Sequence, residues 1–348
     1  MNVLFLTPWY PSEADAMAGL FVQKHVEAVR VQGVDVRVIH SQTWRDTWRQ
    51  WKALKREGWM PDVVQLNVIQ KQGLLALWLK KRYKIPYVII EHWSGYLPEN
   101  GQFVRLSAAK QRFARRVCAD AERVLAVSTP LLQAMQACGL QAKQWDTIEN
   151  VVDDFFFTKG KKQSCAEEKK VLLHVSCFDE HAKNITSLLL AVKLLSARRQ
   201  DFELVLVGTG PDYQHVYEYA DSLGLIENHI VRFTGELTPE EVAQCLHQAD
   251  AFVLSSRYET YGVVLAEAAA AGIPILSTPV GIAEEIADII VPQEVVQNKS
   301  GRFAEFIETI LWKTDLPQKK ASLSERFSAE SIGKKLKAIY DSCLHRDI

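Results

Sequence analysis

Short apolar runs alternate with amphipathic stretches from one end of the chain to the other. In the first half the runs lie at residues 3–6, 34–39, 63–66, 87–90 and 124–127. Each is largely apolar and bounded by Gly, Pro or polar residues, the pattern of a strand buried on both faces in a parallel sheet. Between the first two runs, Leu20–Val31 sets Phe21, Val22, Val26 and Val29 near helical spacing and predicts a helix with one apolar face. After three phenylalanines the segment 158–170 is polar, charge-rich and aperiodic, and predicts a linker.

The same grammar then restarts. Runs at 171–175, 203–207, 230–233, 251–254 and 273–277 predict five more strands. Residues 240–248 predict a helix opened by Thr238-Pro239, and Val263–Ala271 a helix closed by Gly272. Ser328 caps a last amphipathic helix, Ala329–Leu344. Strands alternating with helices predict βαβ units. The expected fold class is α/β, with two Rossmann-like doubly wound domains and a crevice at their strand ends. The expected boundaries are 1–157, a linker 158–170, 171–327, and a C-terminal helix 328–348 that returns to the first domain.

Composition narrows the function. With 348 residues, 48% hydrophobic and 24% charged, the chain has enough apolar surface for two soluble cores. A formal net charge of −1 argues against a nucleic-acid partner held by general phosphate attraction. Six scattered cysteines form no CxxC pair and no metal-ligand spacing with histidine, so they read as reduced thiols with no metal site. No secretory leader and no apolar run of about 18 residues is seen. The expected location is cytoplasmic.

The most informative window runs from Ala251 to Pro274. A buried strand enters a polar loop containing Arg257, Glu259, Thr260 and Tyr261, and Gly262 then opens the alanine-rich helix that starts at Val263 and carries Glu267. The free N–H groups of such a helix start suit a diphosphate or a sugar hydroxyl. A carboxylate accepts two hydrogen bonds at once, which suits a vicinal diol. The bland alternatives are a solvated helix residue at Glu267 and a loop-stabilising acceptor at Glu259.

This window resembles the Glu-x7-Glu motif of the retaining GT-B glycosyltransferases, in particular family 4. The resemblance extends over nearly the whole chain, through Gly19, Glu91-His92, Val127-Ser128, Glu149-Asn150, Lys183-Asn184, Gly208-Thr209-Gly210-Pro211, Phe233-Thr234-Gly235 and Thr278-Pro279-Val280-Gly281. It implies that Glu267 holds a ribose, Glu259 contacts the transferred sugar, and Lys183 neutralises the donor diphosphate. Gly19 would let its loop approach the reacting centre, and His92 would lie near the sugar. Gly208, Gly210, Thr260, Tyr261, Gly262, Val263 and Arg257 complete the expected donor site. The implied partners are a UDP- or GDP-type sugar donor and a saccharide or lipid-linked acceptor, with no cofactor or metal. One departure stands out: Cys177 occupies the place where the family often carries a phosphate-pairing arginine.

The segment 44–59 adds a local anomaly. Trp44, Trp48, Trp51 and Trp59 fall on or near one helical face, with Arg45, Arg49, Lys52, Lys55 and Arg56 between them. Tryptophan with basic residues suits an interfacial helix on anionic lipid, and would place the protein peripherally at the inner face of a membrane. The alternative is a helix that packs its indoles on its own domain. Two rival functions share the architecture: a nucleotide-sugar epimerase and a non-catalytic nucleotide-sugar-binding paralogue. A nicotinamide dehydrogenase is disfavoured, because the Gly208 loop lacks the third glycine of the dinucleotide fingerprint.

Overall fold

The computed structural model describes residues 1–13, 15, 17–158, 169–286, 300–312 and 323–344. Two compact units form: Met1–Val151 together with Glu325–Ile348, and Val152–Ser324. Most of the segment expected as a linker, and Cys165 within it, lie outside the described residues.

The first unit is built on β1 (Asn2–Thr7), β2 (Asp35–His40), β3 (Val63–Asn67), β4 (Tyr87–Glu91), β5 (Arg123–Ala126) and β6 (Trp145–Thr147). The six strands are parallel, in the order β2-β1-β3-β4-β5-β6. β3 and β4 are buried at every position, including the polar Gln65 and Asn67 and the carboxylate of Glu91. β6 was not readable from the sequence. Trp145-Asp146-Thr147 is partly exposed and has no apolar run; it becomes a strand by pairing with β5 at the sheet edge. Helices α1 (Leu20–Val31), α2 (Trp44–Arg56) and α3 (Gly73–Tyr83) belong to this unit.

The C-terminal helix Ala329–Leu344 belongs to it too. The Ser328 hydroxyl accepts from the Ser331 amide at 3.2 Å, which caps the helix start. The helix lies against α1 so closely that a Cβ on Gly333 would fall 2.2 Å from the Ala28 carbonyl oxygen. Tyr340 is fully buried and its hydroxyl donates to Gln65 on β3. Arg326 and Lys335 reach the Glu149 carboxylate at 3.0 and 2.9 Å, next to the point where the chain leaves the unit.

The second unit carries β7 (Lys170–Val175), β8 (Phe202–Val207), β9 (Val231–Gly235), β10 (Ala251–Leu254) and β11 (Ile275–Ser277). These are also parallel, in the order β11-β10-β7-β8-β9. The strand order reverses between β7 and β10, so loops leaving their carboxyl ends diverge and open a crevice there. Helices α4 (Ile185–Ser196), α5 (Pro239–Gln248), α6 (Val263–Ala271) and α7 (Ser300–Trp312) flank the sheet. The core joins Leu188, Leu189 and Val192 of α4 with Ile307 of α7 and Leu204 and Leu206 of β8. α5 starts with a full capping box between Thr238 and Glu241, so that two otherwise unbonded N–H groups find acceptors.

The close approach at Gly333 sets a test. Gly333→Val should lower the melting temperature of the full chain, by a stability loss of about 1–3 kcal/mol from overpacking. An unchanged melting curve would mean that the helix is not seated on α1.

Candidate functional site

The second unit gathers its candidates at the β7/β10 switch point. β7 gives way to a loop and the short helix Glu180–Lys183; β10 gives way to Ser255-Ser256-Arg257. Backbone bonds join the two loops, with the Arg257 amide donating to the Ala182 carbonyl at 2.7 Å. Ser255 Oγ donates to the Lys183 carbonyl at 2.9 Å. The Lys183 ammonium thereby arrives 2.5 Å from Glu259 Oε1, although the residues are 76 positions apart. Ser256 Oγ donates to the same carboxylate oxygen at 2.7 Å. Both charged side chains are largely shielded, at 18% and 13% exposure, so the pair interacts more strongly than a surface one.

Glu267 is the fifth residue of α6 and only 9% exposed. Gly262 precedes the helix in a left-handed conformation, φ 80°, and as a glycine makes no side-chain cap to the first turn. Among the candidates in this loop, Tyr261 is buried, while Thr260 and Val263 are half-buried. Gly281 braces the loop from outside: a Cβ there would lie 2.2 Å from the Tyr261 carbonyl, which accepts from the Ile282 amide at 2.9 Å. Thr278 Oγ1 donates to the Ser256 carbonyl at 2.6 Å. The Thr278–Gly281 stretch thus acts on the carboxylate loop through its backbone.

Three candidates occupy structural positions. The Arg257 guanidinium donates to the carbonyls of Glu180 and His181 and to Asn184 Oδ1, at 2.5, 3.2 and 2.5 Å. It thus ties together the loop that carries Lys183. A Cβ at Gly208 would lie 1.9 Å from the Ser176 carbonyl oxygen, and one at Gly210 2.5 Å from the Phe178 nitrogen. These glycines let the β8 loop press against the β7 loop. Cys177 is exposed, and partial burial of its thiol raises its pKa, with Lys183 pulling the other way.

His174, which the sequence did not single out, locks the switch point. Its ring lies between the Val253 carbonyl on β10, 3.0 Å from Nδ1, and Ser176 Oγ, 2.8 Å from Nε2. Burial pushes its pKa down to about 4, with the Lys183 charge in the same direction. Its only local signal was a polar residue inside an apolar run.

In the first unit, β4 ends on Glu91, whose buried carboxylate accepts from the amides of Ile69, His92 and Trp93, each at 3.0 Å. Burial pushes this carboxyl up to about 7, against the pull of those N–H groups. The bonds hold the loop that carries His92. The His92 ring rests on Phe21, centroids 4.3 Å apart, and near His25, centroids 6.0 Å apart. Phe21 follows Gly19, which starts α1 at φ 70°; a Cβ there would lie 2.4 Å from the Trp9 carbonyl carbon. Gly19 and His92 are therefore neighbours through α1.

The tryptophan pattern of α2 has a largely internal explanation, which corrects the interfacial reading of its indoles. Trp51 is buried. Trp48 packs edge-on against Trp78 of α3 at 4.9 Å. Trp59, beyond the helix, is buried and donates to Asp35 at 2.7 Å. Trp44 alone of the four is exposed, beside exposed Arg45, Arg49, Lys52 and Arg56. The surface is basic, but its aromatic face is turned into the unit.

Among the described residues, no group of three His, Cys, Asp or Glu is placed to hold a metal ion, and no helix is long and apolar enough to cross a membrane. Two doubly wound parallel sheets define a GT-B fold. Residues 156–326 match the model "Glycosyl transferases group 1" and residues 2–150 the "Glycosyl transferase 4-like domain". Together with the relatives, these matches support a GT-B glycosyltransferase.

The N-acetyl-alpha-D-glucosaminyl L-malate synthase of Bacillus anthracis is 26% identical over 64% of this chain and 60% of its own length. The putative teichuronic acid biosynthesis glycosyltransferase TuaC of Bacillus subtilis is 22% identical over 98% of this chain and 97% of its own. The match to the first spans less than two thirds of that relative. Anabaena Alr3699/HepE, solved in complex with UDP-glucose, superposes at a TM-score of 0.75, with 19% identity over 98% of this chain and 100% of that one.

The depressed pKa of His174 sets a pH test. The unfolded chain binds a proton near the ordinary 6.5, the folded protein only near 4. Stability from this group is therefore present above 6.5 and lost as pH falls towards 4, by up to about 3 kcal/mol. Denaturant unfolding of wild type and His174→Asn across that window should give a shallower fall for the variant; parallel curves would refute the buried neutral imidazole.

Proposed function

We propose that the protein transfers a sugar, with retention of anomeric configuration, from a UDP- or GDP-type donor to a saccharide or lipid-linked saccharide acceptor in surface polysaccharide or glycolipid synthesis. The observation that carries the reading is the convergence of Lys183, Glu259 and the start of α6 at the β7/β10 switch point. A departing nucleoside diphosphate leaves negative charge on its phosphate and positive character on the sugar. Catalysis needs compensating charge already in place.

In this reading Lys183 is the cation for the diphosphate. Until the donor arrives its charge is balanced by Glu259, and the same pairing keeps Glu259 oriented for sugar hydroxyls. The first N–H groups of α6, which opens on Gly262 with no cap from that residue, add dipolar stabilisation. Glu267 supplies a buried carboxylate for the ribose diol. His92 recognises the transferred sugar, and Gly19 shapes the loop beside it. Cys177 contributes no charge, so Lys183 and α6 meet the leaving group without an arginine, and no metal is invoked. Arg257 acts by holding the Lys183 loop.

Thermal stabilisation by a panel of UDP-, GDP-, ADP- and dTDP-sugars tests the donor assignment. One nucleotide class should raise the melting temperature selectively, and Glu267→Ala should abolish the shift. Lys183→Ala should lower transfer by about 100-fold or more, the usual loss when a preorganised charge at the transition state is removed. No shift with any nucleotide, in folded protein, would favour a degenerate site. Product formation without an acceptor would favour an epimerase.

For the lipid-linked form of the acceptor, the basic face of α2 is the candidate contact with anionic headgroups, acting by charge, with Trp44 as its one exposed indole. Replacing Arg45, Arg49, Lys52 and Arg56 together by Ser should abolish sedimentation with anionic vesicles and leave the melting temperature close to wild type. Unchanged sedimentation would remove the membrane from this proposal.

A further inference from the structure

Two buried imidazoles in the first unit have incomplete hydrogen bonding. His25 on α1 is fully buried, and its Nε2 lies 2.9 Å from the Glu149 carbonyl oxygen. A carbonyl only accepts, so this nitrogen carries the proton. Burial lowers the pKa of His25 to about 4 and keeps the ring neutral, which makes Nδ1 a bare acceptor. That Nδ1 is buried without a partner. The neighbouring His92 is 6% exposed, and its Nε2 is likewise buried without a partner.

The rings are neighbours, with centroids 6.0 Å apart and planes inclined at 45°. At this separation two ring nitrogens aimed at each other stand roughly 3.7 Å apart, so the rings need to close by about half an ångström for a hydrogen bond to form. Burial drives His92 to the neutral form as well, and a charge on either ring would oppose a charge on the other. One neutral ring offering a proton to the other satisfies both orphaned nitrogens at once, and a buried polar atom left without a partner is costly.

We propose that His25 is a positioning residue for His92: His92 Nε2–H donates to His25 Nδ1, and this bond fixes His92 as the tautomer with an unprotonated Nδ1. The orientation is set at the far end by Glu149, whose carbonyl fixes the proton of His25. The Glu149 carboxylate is in turn held by Arg326 and Lys335, so its backbone is anchored on the side chain's other flank. Phe21, against the face of His92, restrains the ring plane. The consequence for recognition is that His92 presents an acceptor at Nδ1, suited to a hydroxyl that donates. That consequence rests on the role given to His92 above; the tautomer itself does not.

The test is heteronuclear NMR of the histidine rings in the full-length, isotopically labelled protein, which reads the tautomer directly and needs no substrate. Wild-type His92 should carry its proton on Nε2 and His25 should carry its own on Nε2. Two substitutions separate orientation from packing. Asn places an oxygen near the position of Nδ1, so His25→Asn keeps the acceptor and loses the bond to Glu149. Gln reaches the position of Nε2, so His25→Gln keeps the donor to Glu149 and loses the acceptor. His92 should retain its Nε2 proton in the Asn variant and shift to the other tautomer or a mixture in the Gln variant. A wild-type His92 protonated on Nδ1, or a spectrum unmoved by His25→Gln, would overturn the proposal. The wild-type spectrum decides on its own if either variant fails to fold, and a negative result leaves the donor-site reading untouched.

Discussion

Pairing of β7 with β10 places Leu172 beside Ala251 and Leu173 beside Phe252, and the donor-side chemistry follows from that adjacency. Two strands far apart in sequence end at the same edge, and the loops that leave them have no room to stay independent. Backbone bonds, the Ser255 hydroxyl and the Arg257 guanidinium join them. His174 bridges the strands just below, where burial keeps its ring neutral and both nitrogens bonded. The Lys183–Glu259 pair is the outcome, and its shielding gives it an electrostatic weight that an exposed pair lacks.

The first unit solves a different problem, that of keeping polar groups inside. Glu91 is buried at the end of β4 and is tolerable there because three amides converge on it. Those bonds set the path of the His92 loop. α1 faces the loop with Phe21 and His25, and about a turn further along receives the C-terminal helix at Ala28. Residues at the two ends of the sequence therefore support one small region around His92.

The α2 segment shows how a local pattern misleads. Indoles at helical spacing with intervening cations fit a lipid interface and fit equally a helix packed on its own sheet. The decision belonged to Trp78 and Asp35, neither of them predictable as partners from residues 44–59. Similarly, the resemblance puts Gly208 and Gly210 among donor-site residues without saying what they touch, and the structure sets them against the backbone of Ser176 and Phe178. In both cases the residue type was informative and its partner was not.

Periodicity and punctuation alone determined most of the architecture. Apolar runs too short for helices gave ten of the eleven strands among the described residues, and capping residues gave the starts of α5 and the C-terminal helix, because these signals are local. The window from Ala251 to Pro274 carried Glu259, Gly262 and Glu267 in one stretch, so that part of the candidate site was legible. Only the tertiary structure decided which side chain met Glu259, what Arg257 and Gly281 are for, that His174 and His25 matter, and that Trp145–Thr147 is a strand. Each depends on a partner from elsewhere in the chain. The sequence states what each residue offers, while packing decides what it is offered to.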